Sequence, residues 1–447
     1  MKVIHRTDLN IEDIRTNDYW NRFRIFSILD RENFNSKLDV NALVEHCLTH
    51  RDTTLSLCKQ FYSNKEERKV SLDWYDLKSR TYVIDNLPIF TYLKLANIFL
   101  NSSMKLRDWK YIDRQRTYFV RIPKQVATNI DIRKEYESIQ LKSISNYRKA
   151  LSSKNVNSKK YSHLLLPLGI QNRAAISLDI NENINLINTL LCSDMVVENQ
   201  LGDMFEMVIK SDINISPDCS RRTVVKEILE YLSELVSKEQ KFENEGMSKF
   251  RFKYVNDIVE QVISNFELLI NPLGSKYELE FDYNDQVYLG NLMSKADLGL
   301  ISKSKGSVLS GYLSLAHILE LLSFDSQIFI PFLSDFVDID KELNRPNRKS
   351  FLLPKELDGS PDIKKEFIKN LTEIYSEIKE WRKNSKEYMS DEMSKEFTRY
   401  LLPVCHMTKF NLYLDVNDIF ALRNRDFEYR DEWMKLFYQK DPLFKKS

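Results

Sequence analysis

Two pairs of residues set a carboxylate two positions before an amide: Asp179 with Asn181, and Asp415 with Asn417. A carboxylate and an amide at that spacing can bind a ribose or a cation. Asp and Asn are also preferred helix N-caps, where they accept from otherwise unpartnered N–H groups. Both readings stand for these four positions. Arginines gather in the second half at Arg399, Arg423, Arg425 and Arg430. Guanidinium forks suit phosphates and carboxylates, so this cluster can face an anion. It can equally form solvated helix faces paired with Asp426, Glu428 and Asp431. His46 and His50 lie four apart beside Cys47, a spacing that puts both imidazoles on one helical face, as a metal would require. No third ligand or general base accompanies them in the sequence. The stretch 105–121, KLRDWKYIDRQRTYFVR, mixes cations and aromatics that can stack bases and neutralise phosphates, or can pack as an edge strand and turn. His163, His317 and His406 show no spacing that suggests a catalytic triad.

The elements that carry these residues repeat. Residues 161–181 read YSHLLLPLGIQNRAAISLDIN, and residues 397–417 read FTRYLLPVCHMTKFNLYLDVN, 236 positions later. Leu165-Leu166-Pro167 matches Leu401-Leu402-Pro403. Both copies then run ungapped to Leu178-Asp179-x-Asn181 and Leu414-Asp415-x-Asn417. A period this long excludes a solenoid and points to two copies of one domain. Around the blocks, each half reads as apolar helix, strand ending in proline, polar helix, leucine-proline block, helix. The apolar helices are expected at 86–106 and from Val308 to Leu322, and the polar helices at 134–152 and 362–387. Strands are expected at Val3-Ile4 and from Arg114 to Ile122, and an alternating segment at Tyr277 to Tyr283; Ala174 to Ile180 reads as β-like or as the entry to another helix. Further helices are expected from residues 10–13, over 182–210, and from Arg222 to Lys238. The predicted organisation is a first domain over 1–215, a charged helical connector over 216–252, and a second domain over 253–447.

The chain has 447 residues, 43% hydrophobic and 12% aromatic, which argues against disorder. A net charge of +1, from 66 basic and 65 acidic residues, gives no global electrostatic case for nucleic acid or an anionic membrane. Only 9 residues are glycine, about 2% against a usual share of roughly 7%. Neither a GxGxxG nor a Walker-type phosphate loop occurs, so phosphates would be held by side chains or helix N-termini. The five cysteines are scattered and form no CxxC, which predicts free buried thiols in a reducing compartment. The polar opening MKVIHRTDLN and the lack of a long apolar run predict a cytoplasmic protein without a membrane span.

The repeated block resembles the C-terminal part of the flavin-dependent thymidylate synthases. In that family a polar helix ends in an acidic residue. Ala-Arg, a hydrophobic Leu-Pro, a Thr and an Asn-x-Arg with further arginines follow. Here Glu396-Phe397-Thr398-Arg399-Tyr400-Leu401-Leu402-Pro403 is followed by Thr408, Asp415-Val416-Asn417, Arg423 and Arg425. In the first copy His163 takes the Arg place and Asn172 the Thr place. Pro88-Ile89-Phe90 resembles the segment before the family's Arg-His-Arg signature, and MKVIHRTDLNIEDI resembles its first strand and turn. The resemblance implies an α+β fold of two related domains in tandem, each a small sheet with long helices. It also implies a homodimer arranged as a pseudo-tetramer. Expected ligands are FAD and a pyrimidine deoxynucleotide, with NADPH and methylene-tetrahydrofolate as co-substrates for reductive methylation of deoxyuridylate. Candidate flavin-binding residues are Asp179, Asn181, Asn185, Asp415 and Asn417. Candidate nucleotide-binding residues are Ser102, Arg399, Arg423 and Arg425. The Arg-His-Arg positions fall on Asn97-Ile98-Phe99 in the first half and near Ser323-Phe324-Asp325 in the second. Both halves replace Asn-x-Arg with Asp-x-Asn. Those departures lead to an alternative, a catalytically inactive descendant acting as a scaffold or partner-binding protein. A further alternative is a flavin enzyme acting on a different nucleotide.

Overall fold

Contacts partition the chain into two compact units, and each unit draws on both halves of the sequence. The first comprises Met1–Leu93, Ser102–Cys219 and Ser360–Val404; the second comprises Lys94–Asn101, Ser220–Gly359 and Cys405–Ser447. The computed structural model describes residues 4–7, 24–29, 80–98, 103–106, 109–110, 119–178, 186–187, 190–209, 251–255, 306–322, 339–343, 351–414, 422–427, 429–431 and 433–435. The helices expected from residues 10–13 and over Arg222–Lys238 lie outside these residues. So do the segment Tyr277–Tyr283, most of the strand from Arg114 and nearly all of the 216–252 connector.

In chain order the elements are β1 (Ile4–Thr7), β2 (Arg24–Leu29), β3 (Arg80–Pro88), α1 (Ile89–Ile98), β4 (Ser103–Leu106), α2 (Ile130–Ser152), α3 (Val156–Lys160) and a 3-10 turn (Ser162–Leu165). Then come β5 (Gln171–Leu178), α4 (Val196–Ile209), β6 (Arg251–Val255), β7 (Gly306–Ser314), α5 (Leu315–Leu322) and α6 (Ile339–Leu343). A second 3-10 turn (Lys355–Gly359), α7 (Pro361–Ser385), α8 (Asp391–Leu401) and β8 (Met407–Leu414) close the series. The first unit holds an antiparallel sheet in the order β1-β2-β3-β5-β4, and the second holds one in the order β6-β7-β8.

Two sequence expectations need correction. The run 86–106 is not one helix: β3 ends at Pro88, α1 covers Ile89–Ile98, and β4 follows. The run from Val308 to Leu322 divides the same way, into β7 and α5. A continuous apolar run does not distinguish a buried strand from a buried helix, because both bury every side chain. The polar helices have clearer signals. Asn129 caps α2, its Oδ1 accepting from the amides of Asp131 and Ile132. Ser390 caps α8 through the amide of Met393. Proline opens α7, where a missing N–H is harmless.

In the first unit α2 and α7 pack antiparallel. Ile132, Tyr136, Ile139, Ile144 and Tyr147 form the buried stripe of α2, and Phe367, Leu371, Ile374, Ile378 and Trp381 that of α7. The Trp381 indole donates to the Ile132 carbonyl at 2.9 Å. Further along, Lys142 meets Glu377 at 2.6 Å and Glu373 at 3.2 Å, and Lys149 meets Glu366 at 2.9 Å. Buried Arg382 reaches from α7 to Ser394 at 2.7 Å and Asp391 at 2.5 Å, tying the start of α8 to the end of α7.

The two leucine-proline blocks meet in this unit. Pro167 and Pro403 form an antiparallel bridge. The Leu168 amide donates to the Leu402 carbonyl at 2.8 Å, and the Val404 amide donates to the Leu166 carbonyl at 2.8 Å. The two donors, Leu168 and Val404, correspond at the 236-residue spacing, and so do the two acceptors, Leu166 and Leu402, so each block gives to the other what it receives. Beyond the blocks, both halves use the same local contacts. Ile89 N donates to Ile170 O and Leu315 N to His406 O, each at 3.0 Å. Val120 N donates to Gly169 O at 2.9 Å, and Leu352 N to Cys405 O at 3.0 Å. Strand β5 starts at Gln171 and β8 at Met407, again 236 apart.

Gly169 is a tight point in the crossing. Its amide donates to the Tyr400 carbonyl at 2.7 Å. A Cβ there would stand 2.8 Å from that carbonyl oxygen and 2.6 Å from the Gln140 amide nitrogen. Gly169→Ala is expected to destabilise the protein by about 1–3 kcal/mol through overpacking, read as a lower denaturation midpoint.

A second prediction concerns acid. The Asp391 carboxyl is held well below the ordinary carboxylate range, first by the hydrogen bond from Lys395 and then by that from Arg382. A carboxyl depressed in the folded state stabilises the fold fully above its unfolded value, near pH ~4, and loses that effect as pH falls through its folded value. Asp391→Asn should therefore flatten the decline of stability below pH ~4, measured by denaturation at a series of acidic pH values.

Candidate functional site

The first sheet is interrupted where polar residues enter it. Strands β3 and β5 pair in register from Arg80↔Leu178 to Ile84↔Ala174, then resume at Leu87↔Asn172. Asp85 and Asn86 thus oppose the single residue Arg173, which makes a bulge. Asn86 has φ 63°, in the left-handed region that asparagine enters more readily than most residues. The Arg173 guanidinium grips both carboxylate oxygens of Asp85, through Nε to Oδ1 and through a terminal nitrogen to Oδ2 at 2.9 Å. The two side chains are 3% and 5% exposed. The fork geometry matches the planar carboxylate, and each charge compensates the other in the interior. In the second sheet the matching stretch, Ser310↔Asn411, Gly311↔Phe410 and Tyr312↔Lys409, continues without a shift. Bulges bend a strand and re-aim its side chains, and they recur beside functional sites. Arg173 is thus a buried charge held at the register shift of the first sheet. No motif search identifies it, because its partner lies 88 residues earlier in the chain.

The buried acid of α8 has a defined task. Glu396 is 1% exposed, and its two oxygens accept from the amides of Val196 at 2.9 Å and Val197 at 3.0 Å. It thus closes the N-terminus of α4, where the helix dipole favours a negative charge. Ser193, bonded to Glu198, accepts from the Met195 amide at 3.2 Å just before that helix. Nearby, the Tyr400 and Thr91 hydroxyls share a hydrogen bond at 3.1 Å. Burial, and then the charges of Glu396 and Glu198, push the Tyr400 phenol well above its ordinary value, so it remains a neutral hydroxyl.

In the second unit Ser314 Oγ lies 2.6 Å from His317 Nδ1 and accepts from the His317 amide at 3.3 Å. Ser314 precedes α5 and His317 is its third residue, so the Ser314 hydroxyl caps the helix through the His317 amide while also contacting the imidazole. Ser314 is fully buried and the His317 ring packs on Tyr429. The contact resembles a nucleophile and its base, but the enclosure assigns it to capping. Its sequence signal is a Ser three residues before a His at the start of an apolar run.

Of the sequence-predicted site residues, Ser102, Asp179, Asn181, Asn185, Asp415 and Asn417 lie outside the described residues. Arg399 is half-buried on α8 in the first unit. Arg423 and Arg425 are exposed in the second unit, on one turn in which the Arg425 amide donates to the Leu422 carbonyl at 3.2 Å. Arg430 pairs with Asp431 at 3.1 Å and Asp426 at 4.0 Å, the surface pairing weighed as its alternative. His46, His50 and most of the 105–121 stretch also lie outside the described residues. Among the described residues no group of His, Cys, Asp and Glu is arranged to hold a metal ion, and no helix is long and apolar enough to cross a membrane.

The cysteine expectation is corrected in part. Cys405 is free and buried, and burial pushes its thiol far up. Cys192 is disulfide-bonded. Pairing depends on the spatial separation of two backbones, which scattered sequence positions do not report.

Comparison with protein-family models, curated proteins and solved structures finds no match for this chain.

The Asp85–Arg173 pair makes a quantitative prediction. Asp85→Ala leaves a buried guanidinium without its counter-charge and is expected to cost about 3–5 kcal/mol, whereas Asp85→Leu with Arg173→Met should cost less than either single change. Denaturant unfolding of Asp85→Ala, of Asp85→Leu and Arg173→Met singly, and of the double variant measures the difference.

Proposed function

We propose that this chain is a divergent, tandem relative of the flavin-dependent thymidylate synthases that binds FAD and a pyrimidine deoxynucleotide. The observation that carries the reading is the recurrence of the leucine-proline block. The residues that resemble the family occur twice, and both occurrences lead into a strand through the same backbone contacts. On this reading the α+β halves are two related domains, and two chains form a cytoplasmic homodimer with pseudo-tetrameric symmetry.

The arginines present suit such ligands, because a flavin diphosphate and a nucleotide monophosphate are multiply anionic. Exposed Arg423 and Arg425 offer two guanidiniums two residues apart, and half-buried Arg399 offers a third in the other unit. When bound, the flavin would supply the redox chemistry of the methylation, with NADPH and methylene-tetrahydrofolate as co-substrates. The chain would supply binding and orientation.

A second reading rests on Glu396. The resemblance places this acid at the end of the polar helix, and here both of its oxygens close a helix N-terminus inside the protein. That use favours a catalytically inactive descendant that keeps the frame as a scaffold.

The test is the visible absorption of the purified protein after incubation with FAD and dialysis, with and without deoxyuridylate. Retained flavin bands, together with nucleotide affinity lowered at least tenfold by Arg425→Ala or Arg399→Ala, are the expected outcome; tenfold corresponds to about 1.4 kcal/mol. A flat spectrum under all conditions would discard the flavin reading in favour of the scaffold.

A further inference from the structure

The first unit is completed by a segment far away in the chain. Residues 361–404 supply α7, α8 and the second leucine-proline block, and they meet α1, α2, α4 and the first block. The meeting surface is chemically selective. It joins Trp381 Nε1 to Ile132 O, Glu396 to the α4 N-terminus, Tyr400 to Thr91, and two acids of α7 to Lys142. It also contains the reciprocal bonds between Leu166–Leu168 and Leu402–Val404. Apolar anchors at the centre, hydrogen bonds to backbone groups and charged pairs at the edge are the anatomy of a protein–protein interface. Exchange between corresponding residues is the mark of an isologous contact.

We infer that residues 361–404 form a docking element, that the first half of the chain is their binding partner, and that the pair holds without a covalent connection. The element of one copy can therefore occupy the first half of another copy. The inference is independent of the proposed ligands, since it rests on contacts between residues of the chain itself.

The test uses the full chain carrying a site-specific protease site between Lys241 and Phe242. It is cut after folding, with reductant present so that no disulfide joins the pieces. The cut protein is expected to elute as one species at micromolar concentration. A tagged 242–447 piece, exchanged in from a second cut preparation, should co-purify with the untagged first piece. Separation of the pieces under native conditions, or no exchange after prolonged mixing, would overturn the inference. A second pair of variants assigns the contact. Trp381→Phe and Glu396→Gln, each checked for an unchanged circular dichroism spectrum before cutting, should together raise the concentration at which the pieces separate by tenfold or more. An unchanged separation concentration would show that this surface does not carry the docking.

Discussion

The structure depends on a two-bond exchange. Leu166 and Leu402 each give a carbonyl, Leu168 and Val404 each give an amide, and a proline sits between donor and acceptor in both strands. Proline has no N–H, so Pro167 and Pro403 cannot join the ladder as donors. The bridge therefore has one bond on each side of the prolines, and the Gly169 amide adds a third bond to the Tyr400 carbonyl. Around this short crossing the larger elements take their places. The end of α8 delivers Tyr400 to Thr91, and the start of each following strand, β5 or β8, is fixed by the same spacing from its proline.

Burial decides the chemistry of the polar groups around the crossing. Glu396, Asp85, Arg173 and Tyr400 are removed from solvent, where an uncompensated charge would be far costlier than any single contact is favourable. Each has found compensation of a different kind: a helix terminus, a fork, a carboxylate, a neighbouring hydroxyl. Such groups make the packing specific, because a shift of either partner leaves a buried polar atom unmatched. Arg399, Arg423 and Arg425 follow another logic, since they keep contact with solvent.

Much of this was legible in the sequence wherever a local pattern determined the outcome. The polar helices announced themselves through apolar spacing; the strand after the first Leu-Leu-Pro was open between strand and helix entry, and the strand after the second, β8, was not read from the sequence. The apolar runs from Pro88 and from Val308 were misread because strand and helix look alike when every residue is buried. Only the break at Pro88 and the Ser314–His317 cap separate them. Arg173, Asp85 and Glu396 were illegible for a different reason. Their partners are 88 and about 200 residues away, and nothing local reveals that a lone Arg in RAAISL or a Glu in KEFTRY meets a buried partner. The candidate site was legible as residue types, while the bulge that distinguishes the two sheets was not.

The crossing also bears on how such a chain can change. In an assembly of identical subunits one codon writes both sides of a symmetric contact, so every replacement is tried twice at once. Here the two sides are written separately. Position 169 is glycine, as the nearby Tyr400 carbonyl requires, while its counterpart 236 residues later is Cys405, buried and free. Likewise Asp85, Asn86 and Arg173 bend one sheet, and Gly311, Tyr312 and Lys409 leave the other straight. Because the two faces occupy different positions of one chain, a replacement in one leaves the other unchanged.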